Sequence, residues 1–278
     1  MEHDPSEPAD LPADGRADDD EAAELAALGY VPPDPNEERP VDLWSAVGGV
    51  RPWGTLLLLL SWGVMFLLVG ARGALADPRG LLAWGANATM LPWRENAWRL
   101  LASTFLHAGA AHVFFNSISL LVVGPAVERI FTRTRFWSVY ALGGAVASFA
   151  SLLWRDTRGG ASLSVGGSGA IFALGGALLV ATVRLRARLA PTRARALTAA
   201  LLFLLAPGFA AGYAKPGTDN VAHAAGLACG ALLGVLLPLD PRLGGRPPGT
   251  TTRVAAVVSL LALLTSLALG LAGGLTAR

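Results

Sequence analysis

Long runs of apolar residues, free of Asp, Glu, Lys and Arg, alternate along the chain with short polar segments. An α-helix needs about 20 predominantly apolar residues to cross the hydrocarbon core of a bilayer. Seven runs approach or exceed that length, and none has the two-residue alternation of a membrane β-barrel strand. They are 52–71, 100–127, 136–154, 159–183, 196–214, 221–239 and 254–277. Because backbone groups in lipid must be satisfied within the segment, the pattern predicts an all-α membrane protein with seven transmembrane helices.

The amino-acid composition is also that of a membrane protein. Of the 278 residues, 53% are hydrophobic and 15% are charged, and the mean hydropathy is +0.49. A soluble domain of this length needs more charge to cover its surface. The formal net charge is +2, and the basic residues are scattered among short loops, which argues against nucleic-acid binding. The single cysteine, Cys229, cannot form an internal disulfide and is expected to pack between helices.

The arginines predict the orientation of the spans. Three loops that fall on the same side by alternation are basic and carry no compensating Glu. Their arginines are Arg133 and Arg135 after the second span, Arg184, Arg186, Arg188, Arg193 and Arg195 after the fourth, and Arg242, Arg246 and Arg253 after the sixth. Since cytoplasmic loops are enriched in positive residues, we expect this side and the N-terminus to be cytoplasmic. The external loop at 72–99 also carries arginines, and its tryptophans, Trp84, Trp93 and Trp98, predict a segment in the membrane interface.

The chain divides into three parts by composition. Residues 1–45 are acidic and rich in Pro and Ala, which predicts a disordered cytoplasmic tail with no cleavable signal peptide. Residues 46–240 contain the first six spans, and residues 241–278 contain a linker and the seventh. We therefore expect a multi-pass protein of the cell membrane, and specifically of a bacterial plasma membrane.

The sequence Gly166-Gly167-Ser168-Gly169 opens the fourth helix. Strongly polar groups inside spans are costly and mark functional sites by default. A nucleophilic serine needs an exposed hydroxyl and nearby N–H donors, which a helix N-terminus supplies. Flanking glycines allow the backbone or a substrate to approach closely. Taken alone, such a motif more often reflects small-residue helix packing, with Ser168 as the N-cap.

His223 lies near the start of the sixth span, three residues before Gly226 and seven before Gly230. Small residues spaced four apart permit close approach of a neighbouring helix. The histidine shares their face and can therefore reach a group on that helix. A histidine satisfied by a backbone carbonyl is the alternative.

His107, His112 and Asn116 form the third polar group. His112 and Asn116 are four residues apart, so they share one helical face, and both can donate hydrogen bonds to an oxyanion. The competing hypothesis is a metal site. Two histidines and an asparagine are a poor zinc set without a Cys or carboxylate, and no HExxH motif occurs. We therefore expect neither a metal nor another cofactor.

The three polar groups are predicted to lie at the same depth in the membrane. The second, fourth and sixth spans run in the same direction, so His112, Asn116, Ser168 and His223 are predicted near the external ends of their spans. The orientation comes from the arginines and not from these residues, which makes the common depth an independent agreement.

In this order, the motifs resemble those of the rhomboid family. The residues that carry the resemblance are Trp98-Arg99, Phe105-Leu106-His107, His112-Val113-Phe114-Phe115-Asn116, Gly124 with Glu128, Gly166-Gly167-Ser168-Gly169, and Ala222-His223 with Gly226 and Gly230. The resemblance covers about residues 53–238. It implies a rhomboid-like six-helix transmembrane core plus a seventh C-terminal transmembrane helix, to which we assign no catalytic part.

The resemblance also implies an activity. It predicts an intramembrane serine endopeptidase that hydrolyses peptide bonds in or near transmembrane segments, through a Ser168–His223 dyad without a third acid. The implied oxyanion donors are the Ser168 N–H, His112 and Asn116, and the implied supporting residues are His107, Gly166, Gly169, Phe172 and Gly226. Phe172 stands where the family usually has a tyrosine that stacks on the catalytic histidine.

The expected partners are transmembrane protein substrates and the lipid bilayer, without nucleic acid or metal. The first external loop and the helix-breaking residues at 206–208 and 216–217 are candidate gates for a substrate helix. One alternative function is a catalytically inactive rhomboid-like protein that binds membrane clients. A small-solute transporter is another, although inverted repeats and charged midplane residues are not detected.

Overall fold

The computed structural model describes residues 51–75, 77–186, 191–214 and 218–277. The helices are α1 (Trp53–Ala71), α2 (Pro78–Ala83), α3 (Trp93–Asn96), α4 (Arg99–Ala102), α5 (Ala110–Thr157), α6 (Ser168–Arg184), α7 (Pro191–Ala214), α8 (Asn220–Leu236) and α9 (Thr250–Thr276). Two 3-10 turns, Ser103–Phe105 and Pro241–Leu243, and the strands β1 (Asn87–Ala88) and β2 (Leu163–Ser164) complete the elements. The predicted tail at 1–45 lies outside the described residues.

The mostly helical, apolar fold agrees with the prediction. Of the described helices, α1, α5 and α9 are long and apolar enough to cross a membrane, and α6, α8 and Ala194–Ala210 of α7 are shorter apolar helices. At 1.5 Å per residue, the 19 residues of α1 extend roughly 28 Å, close to the thickness of a hydrocarbon core. The two-residue strands β1 and β2, which pair antiparallel, are an addition to the all-α prediction.

Helix α5 consists of two helical arms that meet at Thr132. The backbone there has φ 75° and ψ 155°, outside the helical region and unfavourable for a β-branched residue. The arms, 110–131 and 133–157, correspond to the predicted second and third spans. In place of the predicted loop between these spans, the helix is interrupted only at Thr132. Arg135, which was predicted in that loop, lies in the second arm.

Arg135 is fully buried, so its prediction as an exposed loop arginine is wrong. Its Nη1 donates to the Leu239 carbonyl at 3.2 Å, and its Nη2 donates to the Arg246 carbonyl at 2.6 Å. The guanidinium satisfies backbone oxygens in the segment after α8, which holds that segment against α5.

Two predicted span boundaries also need correction. The second span was predicted from residue 100, but α5 begins at Ala110, after α4 and a 3-10 turn. The fourth was predicted from residue 159, but α6 begins at Ser168. Gly159 and Gly160 have φ values of 69° and 82°, which ends the preceding helix and starts an extended segment. Apolar composition alone does not distinguish such non-helical segments from helix.

Glu128 connects the first arm of α5 to the start of α1. Its carboxylate is fully buried. Oε2 accepts from the Gly54 N–H at 3.0 Å, and Oε1 accepts from the N–H and the Oγ1 of Thr55, both at 2.7 Å. The first N–H groups of a helix lack intrahelical acceptors, and a carboxylate there is also favoured by the helix dipole. Gly124, one turn earlier, packs so closely on Thr55 that a Cβ would collide with it.

Helices α6 and α8 cross with their backbones in close contact. A Cβ at Gly226 would collide with the Gly169 carbonyl oxygen, and one at Gly230 would collide with that of Ala173. The close approach predicted from the spacing of Gly226 and Gly230 is therefore present.

Helix α9 packs against the loop at 72–99, which was predicted to be external. A Cβ at Gly274 would enter the Trp84 ring, and Arg72 Nη1 donates to the Leu275 carbonyl at 3.0 Å. Trp84 is 1% exposed and packs inside the protein, whereas Trp93 is exposed. Protein packing, supplied by a helix that is far away in sequence, buries this tryptophan.

Candidate active site

Ser168 is the first residue of α6, and Gly167 is the N-cap. The alternative in which Ser168 itself caps the helix is therefore wrong. Gly166 has φ 131°, a conformation that L side chains rarely adopt, and a Cβ there would lie 2.7 Å from Cε1 of His112. Glycine at this position brings the backbone against His112, and the first N–H groups of α6 remain without helical acceptors.

Ser168 and His223 are in hydrogen-bond contact. The Oγ of Ser168 lies 2.8 Å from Nε2 of His223, although the residues are 55 positions apart in sequence. His223 is in the first turn of α8 and is 4% exposed. If Nδ1 carries the proton, Nε2 accepts from the serine hydroxyl, which is the arrangement that a nucleophile and its base require.

Two aromatic rings enclose the His223 imidazole. Phe172 stacks on it, with ring centroids 4.2 Å apart and planes inclined by 12°. Phe209 of α7 lies edge-on, with centroids 6.0 Å apart and planes at 89°. A Cβ at Gly208 would lie 2.8 Å from Cζ of Phe172, so glycine there allows α7 to approach. Sequence reasoning identified Phe172 and missed Phe209, whose only signal is its position beside Pro207-Gly208.

His112 and Asn116 lie in the first turns of α5. Asn116 is buried, and its Nδ2 donates to no acceptor within the described residues. His112 contacts His107 edge-on with centroids 5.0 Å apart, and His107 contacts Trp62 in the same way at 5.0 Å. His107 therefore supports the ring of His112 from behind and does not face the serine.

One cavity joins these groups. It has a volume of about 590 Å³, and Ser168, His223, His112 and Asn116 all line it. Leu75, Pro78 and Leu81 of the first loop region form part of its wall. Across the described ranges, no three His, Cys, Asp or Glu side chains come together as a metal-ligand group. Gly169 and Gly226, the remaining predicted site residues, lie at the adjacent crossing of α6 and α8.

A comparison with protein families decides the relationship. The family model described as Rhomboid domain matches residues 94–239, more than half of the chain. The chain belongs to the rhomboid family. With its long apolar helices it is a multi-pass membrane protein. The rhomboid match contains Ser168, His223, His112 and Asn116.

Individual rhomboid relatives support the same assignment. The chain is 33% identical over 213 residues to the rhomboid protease GluP of Bacillus subtilis (strain 168), an alignment that covers 76% of this chain and 40% of the relative. It is 35% identical over 177 residues to RHOMBOID-like protein 1 of Arabidopsis thaliana, covering 64% and 43%. To the rhomboid protease AarA of Providencia stuartii it is 25% identical over 213 residues, covering 70% and 75%. The chain thus spans less than half the length of the first two relatives.

Sequence reasoning missed other polar residues that line the rhomboid cavity, and two of them are joined by a hydrogen bond. They are Asp219, immediately before α8, and Ser164 of β2. Asp219 could have been recognised as an N-cap, since an aspartate directly before an apolar helix is a typical start signal. Ser164 lies in a segment that was predicted as helix, so its pairing could not be anticipated.

Proposed function

We propose that this rhomboid-family chain is an intramembrane serine endopeptidase that hydrolyses peptide bonds in or near transmembrane segments of other proteins. The observation that carries the proposal is the 2.8 Å contact between Ser168 Oγ and His223 Nε2 at the wall of a cavity. A serine hydroxyl is a weak nucleophile unless an adjacent base accepts its proton. The contact supplies that base.

The reaction proceeds in two halves. Ser168 Oγ attacks the substrate carbonyl carbon while Nε2 of His223 accepts the hydroxyl proton, and a tetrahedral intermediate forms. His223 then gives the proton to the leaving nitrogen as the C–N bond breaks. In the second half, His223 accepts a proton from water as the water oxygen attacks the acyl carbon. The C–Oγ bond then breaks, His223 returns the proton to Ser168 Oγ, and the carboxyl product leaves. Stacking on Phe172 holds the imidazole plane in the orientation that both transfers need.

The oxyanion of each intermediate is held by the Ser168 N–H, His112 and Asn116. The unpartnered, buried Nδ2 of Asn116 supports this part of the proposal, because a buried donor without an acceptor is unfavourable unless a ligand completes it. The contact of Gly166 with His112 brings the loop before Ser168 against this donor. Donors fixed before the reaction stabilise developing charge without reorganisation.

Removing either side-chain donor is expected to slow the reaction and leave the fold intact. We expect His112→Ala and Asn116→Ala each to lower kcat for a model transmembrane substrate by about 100-fold. The measurement is the initial cleavage rate in liposomes. Ser117→Ala, next to Asn116 on another face of α5, is the control and should retain the wild-type rate. Full activity in both donor variants would contradict the assigned oxyanion hole.

The proposal places the enzyme in the cell membrane with the N-terminus in the cytoplasm. Support comes from exposed arginines beyond the C-terminal ends of α6 and α8, whereas Ser168 and His223 lie at the opposite, N-terminal ends of these helices. The arginines are Arg184, Arg186, Arg242, Arg246 and Arg253. In this arrangement residues 46–240 form a six-helix catalytic core, and residues 241–278 add a linker and a seventh span.

Substrate and water enter from the external side. The first external loop and α7 border the cavity, and Phe209 and Gly208 bring α7 against the dyad. These are the candidate gates for a substrate helix. The helix-breaking residues at 216–217 that were also predicted as part of a gate lie outside the described residues.

A serine-reactive fluorophosphonate probe tests the proposed function directly. We expect the folded wild-type protein to be labelled at Ser168, because His223 activates that hydroxyl alone. Ser168→Ala should not be labelled, and Ser266→Ala, which removes a buried hydroxyl in α9, should be labelled as wild type. A folded wild type that resists the probe would instead favour an inactive client-binding protein.

A further inference from the structure

Asp219 fixes the start of the helix that carries His223. Its Oδ1 accepts a hydrogen bond from the Ala222 N–H at 3.0 Å, and its carbonyl oxygen accepts from the His223 N–H at 3.1 Å. This is the geometry of a helix N-cap. The position of His223 is therefore tied to the side chain and backbone of a residue four positions earlier.

The second carboxylate oxygen of Asp219 contacts two other parts of the fold. Oδ2 accepts from the Oγ of Ser151, in the second arm of α5, and from the Oγ of Ser164, in β2, at 3.2 Å. Ser164 lies four residues before Ser168, just as Asp219 lies four residues before His223. One carboxylate thus joins the segment that leads into Ser168 to the helix that carries His223.

Arg155 compensates the charge of this carboxylate. Its Nε donates to Ser151 Oγ at 3.0 Å, and its Nη1 donates to the carbonyl and the Oγ of Ser162 at 3.0 and 3.1 Å. A half-buried carboxylate in a membrane protein needs such pairing. The positive charge therefore lies one hydrogen bond away from Asp219.

Capping alone does not account for the choice of aspartate. Asparagine caps a helix about as well as aspartate does. However, Asp219 accepts three hydrogen bonds through two oxygens, whereas an asparagine has one acceptor oxygen and would turn an NH2 group toward one set of donors. A serine hydroxyl can also accept, so an asparagine NH2 could still contact both serines, but it would remove the negative charge that lies one hydrogen bond away from Arg155.

We propose that Asp219 is a positioning residue of the active site, which sets the separation of Ser168 and His223 by holding β2 and α8 to a common point. The inference rests on the proposed protease function. It assigns Asp219 no contact with the reacting atoms. Because reaction rates depend steeply on the placement of reacting groups, loosening this link should lower kcat and leave substrate binding nearly unchanged.

The test compares Asp219→Asn with the wild type in three measurements on the full chain: kcat and KM for a model transmembrane substrate in liposomes, the rate of fluorophosphonate labelling, and the melting temperature in detergent. We expect kcat and the labelling rate to fall by about 10- to 100-fold, while KM stays within about twofold. The melting temperature should remain near that of the wild type, because asparagine preserves the cap. Ser164→Ala, which removes one contact only, should give a smaller fall in kcat of about threefold to tenfold.

Asp240→Asn is the matched control. Asp240 is also an N-cap aspartate paired with an arginine, since its Oδ1 accepts from the Arg242 N–H at 2.9 Å and lies 2.8 Å from Arg242 Nε. Asp240 follows the C-terminal end of α8, whereas His223 lies at the N-terminal end. The kcat of Asp240→Asn should therefore equal that of the wild type.

The outcomes separate the two proposals. A wild type that neither cleaves nor labels would refute the protease and with it the positioning role. An active wild type with unchanged kcat in Asp219→Asn would refute the positioning role alone. An equal loss of kcat in Asp240→Asn would also overturn it, because it would show a general effect of losing a capping carboxylate. If Asp219→Asn does not fold, Ser164→Ala decides: wild-type kcat in that variant refutes the proposal.

Discussion

Cleavage of a model transmembrane substrate in liposomes is expected to fall by about 10⁴-fold or more when Ser168 or His223 is replaced with alanine. Ser168→Ala removes the attacking oxygen, and His223→Ala removes the group that accepts its proton at 2.8 Å. Because the two residues act as one unit, the double variant should be no slower than either single variant. The measurement is the initial rate of product formation, compared among the wild type, both single variants and the double variant.

Two controls make this result specific to the dyad. Ser266→Ala removes a buried serine from α9 and should cleave at the wild-type rate. The melting temperature of Ser168→Ala should lie close to that of the wild type, whereas His223→Ala empties a buried site beside Phe172 and should melt lower, so rates are compared per folded molecule. Equal cleavage by the wild type and both single variants would refute the protease assignment, and additive losses would show that the two residues do not act together.

Sequence reasoning could reach the polar residues of the candidate site because their spacing is local. His112 and Asn116 are four residues apart on one helix, and His223 shares a helical face with Gly226. Both relationships follow from helix geometry alone. Arginine placement then predicted that the separate groups lie at a common depth. The structure brings them to one cavity.

The parts that sequence reasoning missed depend on contacts between segments that are distant in the chain. Asp219 meets Ser151 and Ser164 across 68 and 55 positions, and no local pattern marks such a meeting. Phe209 reaches His223 from another helix, and Trp84 is buried by α9. Arg135 looks like a cytoplasmic loop residue by charge, but it is buried because backbone carbonyls after α8 accept its hydrogen bonds. In each case a residue from a distant part of the chain contacts a side chain that composition alone would place in solvent or lipid.

Helix packing is the link between the fold and the dyad. Gly226 follows His223 by three residues, and it lies against the carbonyl of Gly169, the residue after Ser168. This glycine contact therefore allows α6 and α8 to approach closely beside Ser168 and His223, in addition to the link proposed through Asp219. A side chain at this contact would act on stability and on catalysis at once.

Gly226→Ala is accordingly expected to have a large effect on the fold and on the dyad together. The new Cβ would collide with backbone, which cannot rotate away as a flexible side chain can, so α6 and α8 must separate. We expect the free energy of unfolding to fall by about 3 kcal/mol. The remaining folded protein should label with a fluorophosphonate about 100-fold more slowly, because Ser168 and His223 move apart. The measurements are unfolding in mixed detergent micelles and the labelling rate per folded molecule.

The same substitution at Gly63 of α1 is the matched control, because nothing lies within 4 Å of a Cβ at that position. Gly63→Ala adds the same methyl group to a helix interior, where alanine is the better helix former. We expect it to leave labelling unchanged and to raise the free energy of unfolding by up to about 1 kcal/mol. Gly226→Ala could instead prove as stable and as reactive as Gly63→Ala. That result would show that the fold does not depend on the close approach of α6 and α8. It would also show that other contacts hold Ser168 and His223 together.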